Sequence, residues 1–151
     1  MKKIRPVLIA LIALLFYTAT DILIWQRVFE ANDLTHFAHT YHIGWLVSLA
    51  GYATIGLLLM WGDWKDCLYY LTALLISAFS GLEDVLYYAL DGKSMPNELP
   101  WLDPNPMIYQ ATRDGVVGSV VFWMVMLALL YFAMYVWKIK PVQIQEVSPI
   151  E

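Results

Sequence analysis

Asp21, Glu83 and Asp84 stand inside long apolar runs, where a carboxyl group has little water to solvate it. His36, His39 and His42 precede another such run at spacing i, i+3, i+6, and the Arg113–Asp114 pair precedes a further one. Imidazole nitrogen with carboxylate oxygen is a ligand set for zinc, or for non-haem iron or manganese. A divalent metal held by two or three of Asp21, Glu83, His36, His39 and His42, with one position left open, would activate a water molecule. Asp84 is then the expected general base, and Arg113 the group that meets an anionic headgroup or a developing oxyanion. Ionisable side chains within membrane-length segments are costly and mark a functional site by default.

Spacing limits the metal reading. On one helix the three histidines spread over about 9 Å of rise, so only two could share an ion; in a non-helical loop that limit is lifted. The chain has no HExxH motif, no paired ExxH motif and no haem attachment motif. A structural role stands beside the chemical one. Near a membrane interface a carboxylate reaches water, and the acids could pair with Arg27 and Arg113 as clasps between helices. Each residue taken singly fits that role better. The convergence of several at one depth is what favours a shared site.

The elements that must position these groups are four apolar runs at residues 6–29, 42–61, 67–90 and 115–138. About 20 apolar residues suffice for a helix to cross a bilayer. The expected fold is therefore all-α, a single-domain polytopic transmembrane four-helix bundle. The chain is 60% hydrophobic and 15% charged, where soluble domains carry nearer a quarter charged residues. Its mean hydropathy is +0.58. A net charge of −4 with no basic face argues against nucleic-acid binding. Cys67 is the sole cysteine, so neither an internal disulfide nor a cysteine zinc site is available. It reads as a small packing residue. The first run extends through Ile22–Trp25 and is expected to be retained as a helix rather than cleaved as a signal peptide.

Placing the N-terminus in the cytoplasm puts Lys2, Lys3, Arg5, Lys65, Lys138 and Lys140 inside and Arg27, Lys93 and Arg113 outside. That bias supports cytoplasmic N- and C-termini in a multi-pass protein of the cell membrane. Trp25, Trp45 and Trp101 fall at expected outer boundaries, and Trp61, Trp64 and Trp137 at inner ones, as in an aromatic belt; only Trp123 lies deep in a run. Pro6 to Asp21 and Cys67 to Glu83 span about 22 and 24 Å of helix, so Asp21 and Glu83 reach similar depth near the outer face. Asp21 shares a face with Ala10, Ala13 and Tyr17. Asp84 shares a small-residue stripe with Ser77, Ser80 and Gly81, and Glu83 a face with Ser80 and Tyr87. Small-residue stripes at Gly44, Ser48, Gly51 and Ile55, and at Gly115, Gly118 and Ser119, suit close helix packing. The loop 91–106 holds Pro96, Pro100, Pro104 and Pro106 and is expected to lie over the bundle mouth as a lid, with Asp103–Pro106 as turn chemistry. The tail 141–151 is polar enough to be disordered.

Three function classes fit. One is a metal-dependent enzyme acting on a lipid or other amphiphile at the outer leaflet. Another is a small proton- or ion-coupled carrier, expected as a homo-oligomer, against which the charge-poor inner half counts. The third is a non-catalytic accessory subunit. The segments Gly81–Tyr88 and Leu99–Asp103 stand out as signature-like.

Overall fold

The computed structural model describes residues 4–32, 34 and 37–137; His36, the tail 141–151 and the Trp25 side chain lie outside that description. The described chain is all-helical, without a β-strand. Three of its helices are long and apolar enough to cross a membrane, and a bent pair makes a fourth if its halves are one span.

The first run forms α1 (Arg5–Thr20), a π-helical stretch (Asp21–Gln26) and α2 (Arg27–Ala31). The second forms α3 (Ala38–Leu59). The third divides into α4 (Trp64–Phe79) and α5 (Leu82–Asp91). The fourth is α6 (Arg113–Tyr131), followed by a π-helical turn (Phe132–Val136). α4 and α6 begin earlier than their apolar runs because caps, not hydropathy, set the start. The Asp63 carboxylate accepts from the Lys65 and Asp66 N–H groups, and the Thr112 hydroxyl accepts from the Gly115 N–H. Each satisfies a donor that a helix N-terminus leaves unpaired.

One face of α1 is buried through Ala10, Ala13, Leu14, Tyr17 and Thr18, and it packs most extensively on α4. The alanines meet Ala73 and Ala78 of α4 in the same core, and small residues let helix axes approach. The opposite faces are apolar too: Phe16 is 63% exposed, Val47 65% and Leu58 62%. Apolar side chains outward as well as inward are the reverse of a water-facing helix. On α3 the close approach is made by Gly56, outside the expected Gly44–Ser48–Gly51 stripe. A Cβ at Gly56 would collide with the Tyr70 ring of α4, whereas one at Gly51 would meet nothing. Tyr70 is fully buried there and donates to the Tyr52 carbonyl at 2.6 Å.

The third run is not one continuous helix. It bends by 66° between α4 and α5. Gly81 sits at the break with φ +89°, a left-handed conformation open to glycine and strained for other residues. A Cβ at Gly81 would also lie 2.5 Å from Val116 Cγ1. Glycine thus serves both the reversal of backbone hand and the approach of α6.

The Pro-rich loop is mostly exposed and is tied to the helices at a few points. Its ends zip together through Leu99 N–H to Ala111 C=O (2.8 Å) and Arg113 N–H to Asn97 C=O (3.0 Å), and Leu99 is fully buried. Trp123, the tryptophan deep in the fourth run, donates its indole N–H to the Met107 carbonyl at 2.9 Å. The Tyr109 N–H donates to Ser119 Oγ at 2.9 Å. Irregular backbone packed against a helix gains from such partners, because an unpaired buried amide is costly.

Candidate functional site

The break in the third run creates both a hole and the groups that line it. Leaving the helix at Ser80 frees carbonyls at the end of α4, and one of them, Phe79 C=O, accepts from Asn105 Nδ2 at 2.8 Å. Asn105 is itself held by the Met107 N–H on its Oδ1 at 3.0 Å. Beneath the loop lies a cavity of about 660 Å³, whose lining includes Asp21, Glu83, Asp84 and His42. That volume suits a small organic ligand, since such sites span roughly 300–1,000 Å³.

Each acid arrives from a different local cause. Asp21 continues the buried face of α1 one turn beyond Tyr17 and opens the π-helical stretch, a form often found at functional positions. It is 5% exposed, and its Oδ1 accepts from the Tyr41 hydroxyl of α3 at 2.7 Å. Asp84 Oδ1 accepts from the Trp101 indole at 3.3 Å. The two signature-like segments therefore meet in space. Glu83 is 6% exposed, and its Oε1 has no hydrogen-bond partner among the described residues. Glu83, not Asp84, is the more deeply buried of the two. The stripe drawn from Ser77 and Ser80 across to Asp84 assumes an unbroken 3.6-residue period, and the bend at Gly81 resets it.

Among the described residues no Lys or Arg offsets these acids. Arg27 lies 3.4 Å from Asp91, Lys93 lies 2.6 Å from the same carboxylate, and Arg113 lies 3.7 Å from Asp114. Arg27 joins two helical segments at Asp91, whereas Arg113 and Asp114 are neighbours on one helix; among the described residues no Lys or Arg pairs with Asp21, Glu83 or Asp84. Arg113, expected to face the substrate, is not part of the cavity wall. Of the histidines, His42 lies at the cavity, His39 is exposed and outside its lining, and His36 lies outside the described residues. Among the described residues no group of three or more His, Cys, Asp or Glu is placed to hold a metal ion.

The walls are aromatic. Trp45, expected in an interfacial belt, instead packs edge-on against Tyr17 (5.5 Å) and Phe79 (5.6 Å) and forms part of the lining. Tyr87, Tyr88 and Trp101 line it as well. These aromatics and Asn105 are the residues the sequence did not single out for the site. The available signal was their nearness in sequence to the acids: Tyr87 is one turn beyond Glu83, and Trp101 belongs to the second signature-like segment. Comparisons of the chain with protein-family models, curated proteins and solved structures match nothing.

Proposed function

We propose that the chain is an integral protein of the cell membrane, a four-helix bundle in which α4 and α5 together make one broken span. Both termini face the cytoplasm and the cavity opens toward the outer leaflet. The length of the apolar helices, their outward apolar faces and the Lys and Arg distribution support this arrangement. The exposed Trp61, Trp64 and Trp137 at the opposite end fit an interfacial belt.

Within that frame the cavity binds an amphiphilic molecule and acts on it by proton transfer, with Glu83 and Asp84 as the acid–base pair and Asp21 held in place by Tyr41. The observation that carries this reading is Glu83, a buried carboxyl with an unpartnered oxygen in the wall of a ligand-sized cavity. Burying such a group without a partner is costly, and sites are where that cost is tolerated. Native mass spectrometry of the detergent-purified protein tests it: a co-purifying amphiphile is expected on the wild-type chain and absent from Trp45→Ala, which opens the wall. A wild-type chain free of bound amphiphile, and inert toward a lipid extract, would reject the reading.

A second reading keeps a divalent metal, zinc or iron or manganese, because His42 shares the cavity with all three acids. It requires a ligand beyond those described, His36 being the candidate. Elemental analysis before and after chelation separates the two: stoichiometric metal lost in His36→Ala supports the metalloenzyme. Labelling by a membrane-impermeant maleimide tests the topology. In a Cys67→Ser background, Asp103→Cys should react from outside and Lys65→Cys should not.

A further inference from the structure

The chemistry of the cavity specifies the charge of its ligand. We propose that it takes an ammonium group carried on an apolar body, with the carboxyls of Asp21, Glu83 and Asp84 facing the cation and the rings of Trp45, Tyr87 and Trp101 facing its substituents. This rests on the ligand-binding reading above and deepens it.

Two independent features point the same way. The first is the imbalance of charge. Three carboxyls line one cavity, while the nearby cations Arg27, Lys93 and Arg113 are each engaged with a carboxylate elsewhere. None of the described lining residues is Lys or Arg. Within this wall Glu83, only 6% exposed, keeps an oxygen without a partner. A ligand that donates hydrogen bonds or positive charge supplies what the lining withholds, and an anionic headgroup would find no Lys or Arg there to receive it. The second feature is the aromatic lining. Indole and phenol faces attract alkylammonium groups through their ring quadrupoles, more strongly where water is excluded. Carboxyls alone would suit any cation, a metal ion included. Carboxyls beside aromatic rings in about 660 Å³ suit an organic one with carbon substituents. Arg113 was expected to receive an anionic headgroup, and its absence from the wall removes the group that would have held one.

The test compares matched probes on the full chain in zwitterionic nanodiscs, read by tryptophan fluorescence at fixed ionic strength. Octyltrimethylammonium, its uncharged isostere with carbon in place of nitrogen, and octyl sulfate share a tail and differ in charge. Saturable binding of the cation about tenfold or more tighter than the isostere is expected, with no competition from octyl sulfate. Glu83→Gln should erase most of that preference. If Glu83→Gln fails to fold, Asp84→Asn and the wild-type selectivity carry the same test. Tetramethylammonium distinguishes the source: affinity equal to that of the octyl compound means a water-soluble amine, and much weaker affinity means an amphiphile. Equal binding of the cation and its isostere would overturn the charge assignment while leaving the amphiphile site intact. Tighter binding of octyl sulfate would do the same. No binding of any probe would overturn both.

Discussion

Two buried carboxyls occupy the first turns of the two halves of one broken helix, and they are treated in opposite ways. Asp66, in the first turn of α4, is 5% exposed, and its Oδ1 accepts from the Tyr135 hydroxyl at 2.8 Å. The Asp63 cap precedes it by three residues, and the Tyr135 ring packs against Tyr69 and Tyr131, the three rings lying 5.0–5.9 Å from one another. Glu83, in the first turn of α5, is buried to the same degree, but its helix has no side-chain cap and one of its carboxyl oxygens has no partner. One end of the bundle has used its polar groups to close itself. At the other, Asp21 and Asp84 accept from Tyr41 and Trp101, while Glu83 keeps an oxygen with no partner among the described residues. Depth and residue type do not separate a structural acid from a candidate functional one. What separates them is whether the fold supplies the partner.

The contrast can be broken hardest at the glycines. Gly62 and Gly81 both have left-handed φ, +93° and +89°, but a Cβ meets nothing at Gly62 and Val116 at Gly81. Gly81→Ala should cost about 2–5 kcal/mol from backbone strain plus overpacking, and Gly62→Ala only the strain. Denaturant titration of the purified protein would compare them, and equal losses would mean that the approach of α6 is not tight. Next in size, Asp66→Ala should destabilise by about 1–3 kcal/mol, because it removes the buried carboxylate that accepts from the Tyr135 hydroxyl. Glu83→Leu should act with the opposite sign. Removing an unpartnered buried oxygen raises stability by about 1 kcal/mol, seen as a higher melting temperature, while binding is lost. A marked loss of stability in Glu83→Leu would mean that Glu83 has a structural partner after all. Trp101→Phe should have the smallest effect, about 0.5 kcal/mol or less, since its bond to Asp84 is 3.3 Å long at an exposed indole. Its consequence is expected in ligand affinity rather than in melting.

The parts of the site that were legible in sequence are those set by local pattern. Asp21 continues an i, i+4 face from Tyr17, so its inward orientation follows from helical periodicity alone. The shared end of Asp21, Glu83 and His42 follows from counting residues along apolar runs. What failed to be legible depends on a break in that counting. Gly81 resembles a packing glycine in a small-residue stripe, and only its positive φ shows that it reverses the backbone, after which Glu83 rather than Asp84 is the more buried. Trp45 and Trp123 have the composition of interfacial or lipid-facing residues. Their partners, Tyr17 and Phe79 for one and the Met107 carbonyl for the other, lie far away in sequence.

Composition and run length by themselves dictated an all-helical chain with membrane-length segments, because helices are the way a single apolar segment satisfies its own backbone. They also placed the ionisable groups at one end. Only the tertiary structure decided that the third segment bends, that Asn105 of the Pro-rich loop caps the Phe79 carbonyl at the bend, and that Arg27 goes to Asp91. Those outcomes hinge on which side chain meets which across distant segments, and no periodicity along the chain encodes that meeting.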